Sequence, residues 1–144
     1  MDANSSTNSF TIHTDGGARG NPGPAAIGFV ISTPAGQILH QHGQVIGHTT
    51  NNTAEYQAVI AALIWISANL SLDSHTHLQF FLDSNLVVHQ ILGDYKIKQP
   101  HLQALVDHIH QLLSDLGARY TFTHIPRSQN SRADLLVNQA LDSR

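Results

Sequence analysis

The sequence predicts an α/β domain on a mixed five-stranded sheet, three antiparallel strands then two parallel ones, with helices on both faces. Three observations predict it. Three strand-like stretches follow one another near the start, separated by short Gly- and Pro-rich turns. From Thr53 onward, helical and strand-like stretches alternate. Strands joined through helices need crossover connections, so the later strands run parallel to the first and their helices cover the sheet. A length of 144 residues suits one domain with one core.

The start, MDANSSTNS, has neither the basic nor the apolar region of a secretory signal. Residues 1–9 therefore read as a flexible leader and 10–144 as the domain. Phe10 to Asp15 alternates apolar with polar residues and stops at Gly16-Gly17, which predicts the first strand. Arg19 to Pro24 (RGNPGP) is a loop by its glycines and prolines. Strands over 25–33 and 37–47 follow, joined as a hairpin through Pro34-Ala35-Gly36. The next stretch, Thr53 to Leu70, repeats apolar residues at Ala54, Ala58, Ala62, Trp65 and Ile66, a helical period. Glu55, Gln57, Ser67 and Asn69 interrupt it too often for a membrane span, which leaves a buried helix. His77 to Leu82 (HLQFFL) reads as a buried strand ending at Asp83. Helices over Ser84–Leu92 and Pro100–Leu116, a strand over Arg119–Ile125 stopped by Pro126, and a helix over Asn130–Leu141 complete the order.

At 41% hydrophobic and 12% charged residues the chain is neither disordered nor a membrane protein. The absence of cysteine excludes disulfides and thiolate metal sites and fits a cytoplasmic protein. The net charge of −3, with seven Lys and Arg and no run of them, speaks against a phosphate-tracking surface. A nucleic-acid partner then requires another source of positive charge, and bound divalent metal is one. Eleven histidines stand out. His40 and His42, like His75 and His77, alternate along strand-like stretches, but neither pair has the two further ligands of a zinc site. They read as surface or half-buried residues.

Four acids each have an ordinary structural reading. Asp15 fits a turn, Glu55 lies three residues after Asn52 as in a capping box, and Asp83 and Asp134 sit where helix starts favour negative charge. Taken together they suggest chemistry. Ligands of open α/β sheets gather beyond the carboxyl ends of strands, where Asp15 and Asp83 fall on expected parallel neighbours. Glu55, the only glutamate in the chain, and Asp134 open helices that can face the same rim. Four converging carboxylates repel one another unless a cation lies among them. Hard oxygen donors select Mg²⁺, or Mn²⁺ as a substitute.

Four motifs carrying these acids resemble the type 1 ribonuclease H family, and the resemblance runs from Phe10 to Leu141. Residues 14–24 (TDGGARGNPGP) are similar to its first-strand and glycine-loop signature. Residues 49–55 (TTNNTAE) are similar to its helix start, while Leu82-Asp83-Ser84 and Asn130-Ser131-Arg132-Ala133-Asp134 match its third and fourth acidic motifs. The resemblance implies a ribonuclease H-like fold with two Mg²⁺ ions held by Asp15, Glu55, Asp83 and Asp134. It implies an RNA–DNA hybrid as partner and hydrolysis leaving 5′-phosphate and 3′-hydroxyl ends. By the same carry-over, Gly16, Gly17, Ala18, Asn21, Asn51 and Asn52 meet the minor groove, where 2′-hydroxyls mark RNA. Thr50 meets a DNA-strand phosphate, and Thr53 and Asn85 join the substrate contacts.

Three departures bear on this. Thr53 stands where many members carry an arginine. The basic helix and loop between the third and fourth motifs shrink to residues 93–98, with two lysines. The histidine loop before the last acid shortens to Pro126–Asn130, with His124 still on the strand, so Arg127 becomes the candidate polar group beside the scissile phosphate. Rival readings are another nuclease of the same fold, a binding module without activity, and a fragment of a reverse transcriptase polyprotein. The glycine loop and TTNN segment speak against the first, and the filled acid positions against the second. The ends of the chain favour a standalone protein over the third, and with no obligate protein partner evident it reads as a monomer.

Overall fold

The sheet forms because its strands each offer one apolar face to a helix, as seen in the computed structural model, which describes residues 8–144. The strands are β1 (Ser9–Ala18), β2 (Gly23–Ser32), β3 (Ile38–Thr49), β4 (His77–Leu82) and β5 (Arg119–His124). The helices are α1 (Asn51–Asn69), α2 (Asn85–Leu92), α3 (Pro100–Leu116) and α4 (Ser131–Asp142), with a single 3₁₀ turn at Arg127–Gln129. The strand order is β3-β2-β1-β4-β5. Pairing is antiparallel across β1, β2 and β3, and parallel from β1 to β4 and from β4 to β5. The expected mixed sheet is therefore present.

On one face Ile12, Phe29, Ile31, Leu78 and Phe80 pack with Tyr56, Val59, Leu63 and Ile66 of α1, and with α2 and α3, to form the main core. Phe80 and Phe122 lie opposite each other on β4 and β5 and stack with centroids 4.5 Å apart. The other face carries α4, whose Val137 and Leu141 pack on Ala26. Two glycines allow this close seat. A Cβ at Gly28 would lie 2.6 Å from the carbonyl oxygen of Ala133, and one at Gly43 would lie 2.6 Å from that of Leu136.

Several boundaries differ from the sequence reading. The first strand does not stop at Asp15. It runs on to Ala18 because Asp15, Gly16, Gly17 and Ala18 pair with Gly28, Ile27, Ala26 and Ala25 of β2. Its parallel ladder with β4 ends at His13 and Phe81, so Asp15 still lies just past the point where those two strands part. Helix α1 begins at Asn51 and is capped by Thr50, whose hydroxyl accepts from Thr53 N–H at 3.2 Å. The Asn52–Glu55 capping box does not form. His75 lies in the turn before β4, where its N–H and that of Thr76 donate to Asp73 Oδ1. Of the expected leader, residues 1–7 lie outside the described residues, while Ser9 opens β1 and Asn8 O accepts from His77 N–H at 2.7 Å. Between α2 and α3 only residues 93–99 intervene, so no basic helix is present there. Among the described residues no helix is long and apolar enough to cross a membrane.

Candidate active site

β1 and β4 deliver two carboxylates to one spot. Their side-by-side ladder ends just before Asp15 on one strand and Asp83 after the other, where the chain turns into α2 under the Ser84 cap. Helix α1 crosses this point so closely that a Cβ at Gly16 would sit 2.3 Å from the carbonyl carbon and oxygen of Ala54. Only glycine fits. That contact seats Glu55 beside Asp15, and Glu55 Oε1 accepts from Gly16 N–H at 2.9 Å. One oxygen from each of Asp15, Glu55 and Asp83 lies within 4.8 Å of the others. Asp134, in the first turn of α4, adds a fourth carboxyl to the same cleft.

These acids line a cleft of about 370 Å³ together with Gly16, Gly17, Ala18, Arg19, Asn51, Arg127 and Asn138. Asp15 and Glu55 are each only 7% exposed. Burial is the largest reason the Asp15 carboxyl is pushed up to about 8, followed by the charges of Asp83 and Asp134. Glu55 is pushed well above the usual carboxylate range by burial first and then by Asp15 and Asp83, with the Gly16 N–H and Arg127 pulling the other way. Arg127 Nη2 lies 3.3 Å from Asp134 Oδ1, and this hydrogen bond is the main reason its guanidinium is held more firmly protonated. The cleft thus holds more negative charge than its one close cation neutralises. Hard oxygen donors gathered in this way, Asp15 and Glu55 kept protonated first by burial and then by neighbouring negative charge, fit a divalent cation of the Mg²⁺ class.

The cleft brings together most of the residues that the motifs single out. Asp15, Glu55, Asp83, Asp134, Arg127, Gly16, Gly17, Ala18 and Asn51 line it, whereas Asn21, Thr50, Asn52, Thr53 and Asn85 lie outside its walls. Asn51 and Asn21 pin the glycine loop to the start of α1: Ala18 N–H donates to Asn51 Oδ1 at 2.8 Å, and Asn51 N–H donates to Asn21 Oδ1 at 3.0 Å. Thr53 is 8% exposed, and the Thr50 hydroxyl donates to its hydroxyl at 3.0 Å. Asn85 is exposed on the first turn of α2, and His124 is exposed at the end of β5, outside the cleft.

Sequence reasoning missed Asn130 as a site residue. It is 1% exposed, and its Nδ2 donates to Thr14 O at 2.8 Å and to Asp83 Oδ2 at 3.0 Å. By position it is the N-cap of α4, yet its side chain makes no capping bond. One side chain therefore ties the start of α4, β1 and the Asp83 carboxylate together. An asparagine before a helix signals a cap, and only the tertiary arrangement shows that the amide turns inward.

An α/β domain with a rim of buried carboxylates is the class that this fold and site define. The chain matches the model of the family described as reverse transcriptase-like over residues 13–140. It is 41% identical over 128 residues to ribonuclease HI of Halobacterium salinarum, covering 89% of this chain and 62% of that protein. It is 40% identical over 133 residues to the bifunctional protein Rv2228c of Mycobacterium tuberculosis, covering 92% of this chain and 35% of that one. The chain thus spans less than two thirds of the length of either relative. The crystal structure of LC11-RNase H1 in complex with RNA/DNA hybrid superposes with a TM-score of 0.88 at 43% identity, covering 93% of this chain and 97% of that one. The chain belongs to the reverse transcriptase-like family and, within it, to the type 1 ribonuclease H proteins.

Proposed function

We propose that the protein is a cytoplasmic, monomeric ribonuclease H that hydrolyses the RNA strand of RNA–DNA hybrids, leaving 5′-phosphate and 3′-hydroxyl ends. The observation that carries this reading is the packing of Asp15, Glu55 and Asp83 oxygens within 4.8 Å at the strand ends. The likeness to a ribonuclease H1 that binds RNA/DNA hybrid supports the substrate class.

In this reading Asp15, Glu55, Asp83 and Asp134 would hold two Mg²⁺ ions, with Mn²⁺ as a substitute. When bound, such ions supply a water nucleophile at neutral pH and stabilisation of a leaving oxygen. The chain's own residues prepare the site. Gly16 N–H fixes one Glu55 oxygen, and Asn130 fixes one Asp83 oxygen, so two of the four ligands are oriented before any ion arrives. Arg127, 78% exposed at the lip, would meet a non-bridging phosphate oxygen of a bound strand. The wall formed by Gly16, Gly17 and Ala18 presents backbone and small side chains to the minor groove, where 2′-hydroxyls distinguish RNA. Thr50, Thr53, Asn52, Asn21 and Asn85 would act from outside the cleft, on strand segments flanking the cut.

The test is a set of matched RNA–DNA, RNA–RNA and DNA–DNA duplexes, with a DNA duplex carrying four consecutive ribonucleotides added. Cleavage confined to the RNA strand of the hybrid and to the four-ribonucleotide block is expected, with products that accept a label at the 3′-hydroxyl. Equal cleavage of the all-DNA duplex would instead favour a different nuclease of this fold.

A further inference from the structure

Arg19 is one of seven basic residues in the chain and, with Arg127, one of two that line the carboxylate cleft. Arg127 is engaged by Asp134, a proposed metal ligand. Arg19 is engaged differently. Its Nη2 lies 2.7 Å from Asp142 Oδ1 and also reaches Asn138 Oδ1 at 3.4 Å and Asn138 O at 3.5 Å, all on α4. Asp142 does not line the cleft and is 65% exposed, and the Arg19 side chain is itself 43% exposed. A pair so open to water is weakly held. All three contacts use Nη2, whereas a guanidinium carries five N–H donors in a planar fork suited to phosphate oxygens.

The backbone that carries this side chain is fixed. Arg19 N–H donates to Pro24 O at 2.8 Å, and the neighbouring Ala18 and Asn21 are both tied to Asn51. A Cβ at Gly23 would lie 2.0 Å from Arg19 O, so the loop closes tightly behind it. The guanidinium therefore swings from a rigid base at the cleft edge, between the glycine wall and the end of α4.

We propose that Arg19 is a phosphate-binding residue for the nucleic-acid substrate, held in reserve by Asp142 and exchanged from that carboxylate to a backbone phosphate when the duplex enters. The inference rests on the ribonuclease reading of the cleft. It supplies part of what a chain with a net charge of −3 lacks, namely a cation at the site that is not already committed to a metal ligand. Arg19 and Asp142 then affect binding in opposite directions.

The experiment measures hybrid affinity with Ca²⁺ over a range of salt, steady-state cleavage with Mg²⁺, and thermal melts, for Arg19→Ala, Arg19→Gln, Asp142→Asn and the Arg19→Ala/Asp142→Asn double variant. Arg19→Ala and Arg19→Gln are expected to weaken binding by roughly 5- to 20-fold and raise KM with kcat little changed. They should also flatten the plot of log affinity against log salt by about 0.9, the loss of one phosphate contact. Asp142→Asn is expected to tighten binding by roughly 2- to 5-fold, and the double variant to match Arg19→Ala alone. If Arg19 is only a clamp on α4, Arg19→Ala and Asp142→Asn lower the melting temperature alike and leave affinity and salt slope unchanged, which overturns the proposal. An Asp142→Asn protein that binds no tighter overturns it too. A wild-type protein that leaves the hybrid uncut refutes the ribonuclease reading itself, whereas normal wild-type cleavage with an unaltered Arg19→Ala affinity refutes only the role of Arg19.

Discussion

Replacing Gly16 by alanine would place a methyl group 2.3 Å from both the carbonyl carbon and oxygen of Ala54 and 2.6 Å from Glu55 N. All three are backbone atoms, so no side chain can swing aside. Ordinary contact distances require β1 and the first turns of α1 to separate by roughly 1 Å, since heavy atoms pack at about 3.5 Å or more. That movement stretches the Gly16 N–H bond to Glu55 Oε1, now 2.9 Å, and shifts Glu55 relative to Asp15 and Asp83. Overpacking of this kind costs about 1–3 kcal/mol, and a buried donor left without its partner about 1–3 kcal/mol more. The expected result is a loss of about 2–6 kcal/mol in stability. A ligand displaced by about 1 Å should also reduce hybrid cleavage by roughly a hundredfold or more. Chemical denaturation beside single-turnover cleavage, both at saturating Mg²⁺, reads the two effects separately. Wild-type stability together with wild-type rate would show that α1 does not seat Glu55 through this contact, and the account of the site's assembly would fail.

Three other outcomes are expected. Asp15→Asn, Glu55→Gln and Asp83→Asn should each lower cleavage at least about a hundredfold, while the metal-free melting temperature holds or rises because carboxylate repulsion is relieved; full activity in any of them removes that residue from the site. The Asp15 carboxyl, raised to about 8 in the folded protein against about 4 when unfolded, keeps its proton only in the native state between those values. Metal-free stability should therefore fall as pH rises from about 4 to about 8, by up to about 1.4 kcal/mol per pH unit for each such group; denaturation curves flat over that window, or a slope undiminished in Asp15→Asn, would contradict this. Asn130→Ala should lower cleavage, stability and Mg²⁺ affinity together, since it frees Asp83 Oδ2, now 3.0 Å from the amide; calorimetric titration with Mg²⁺ that finds unchanged affinity would refute a positioning role for this side chain.

The periodicities in the sequence carry local information, and the elements they govern appear where expected. Alternation along Phe10–Asp15 and the helical repeat of Ala54, Ala58 and Ala62 depend on each segment's own burial, so they are legible without the fold. The end of β1 is not. Gly16, Gly17 and Ala18 look like a turn by composition, and only their pairing with Ile27, Ala26 and Ala25 makes them a strand. The start of α1 fails in the same way. Asn52 and Glu55 have capping-box spacing, but Glu55 is drawn instead to Gly16, thirty-nine residues away in sequence. The four acids that line the cleft stand out in the sequence because their joint pattern of residue types is one that no single local role explains. What holds them does not, because Gly16 and Asn130 act through contacts to residues between 39 and 116 positions away.

The proposed reaction requires the carboxylates of this cleft to hold divalent cations if the RNA strand of a hybrid is to be cut. The most direct test is single-turnover cleavage of a hybrid end-labelled on its RNA strand, with protein stripped by EDTA and then titrated with Mg²⁺, for the wild type and Glu55→Gln. The account predicts no cleavage in EDTA, a return to full cleavage with Mg²⁺ in the wild type, and none approaching that rate in Glu55→Gln at any Mg²⁺ concentration. Cleavage in EDTA, or wild-type rates from Glu55→Gln, would contradict it.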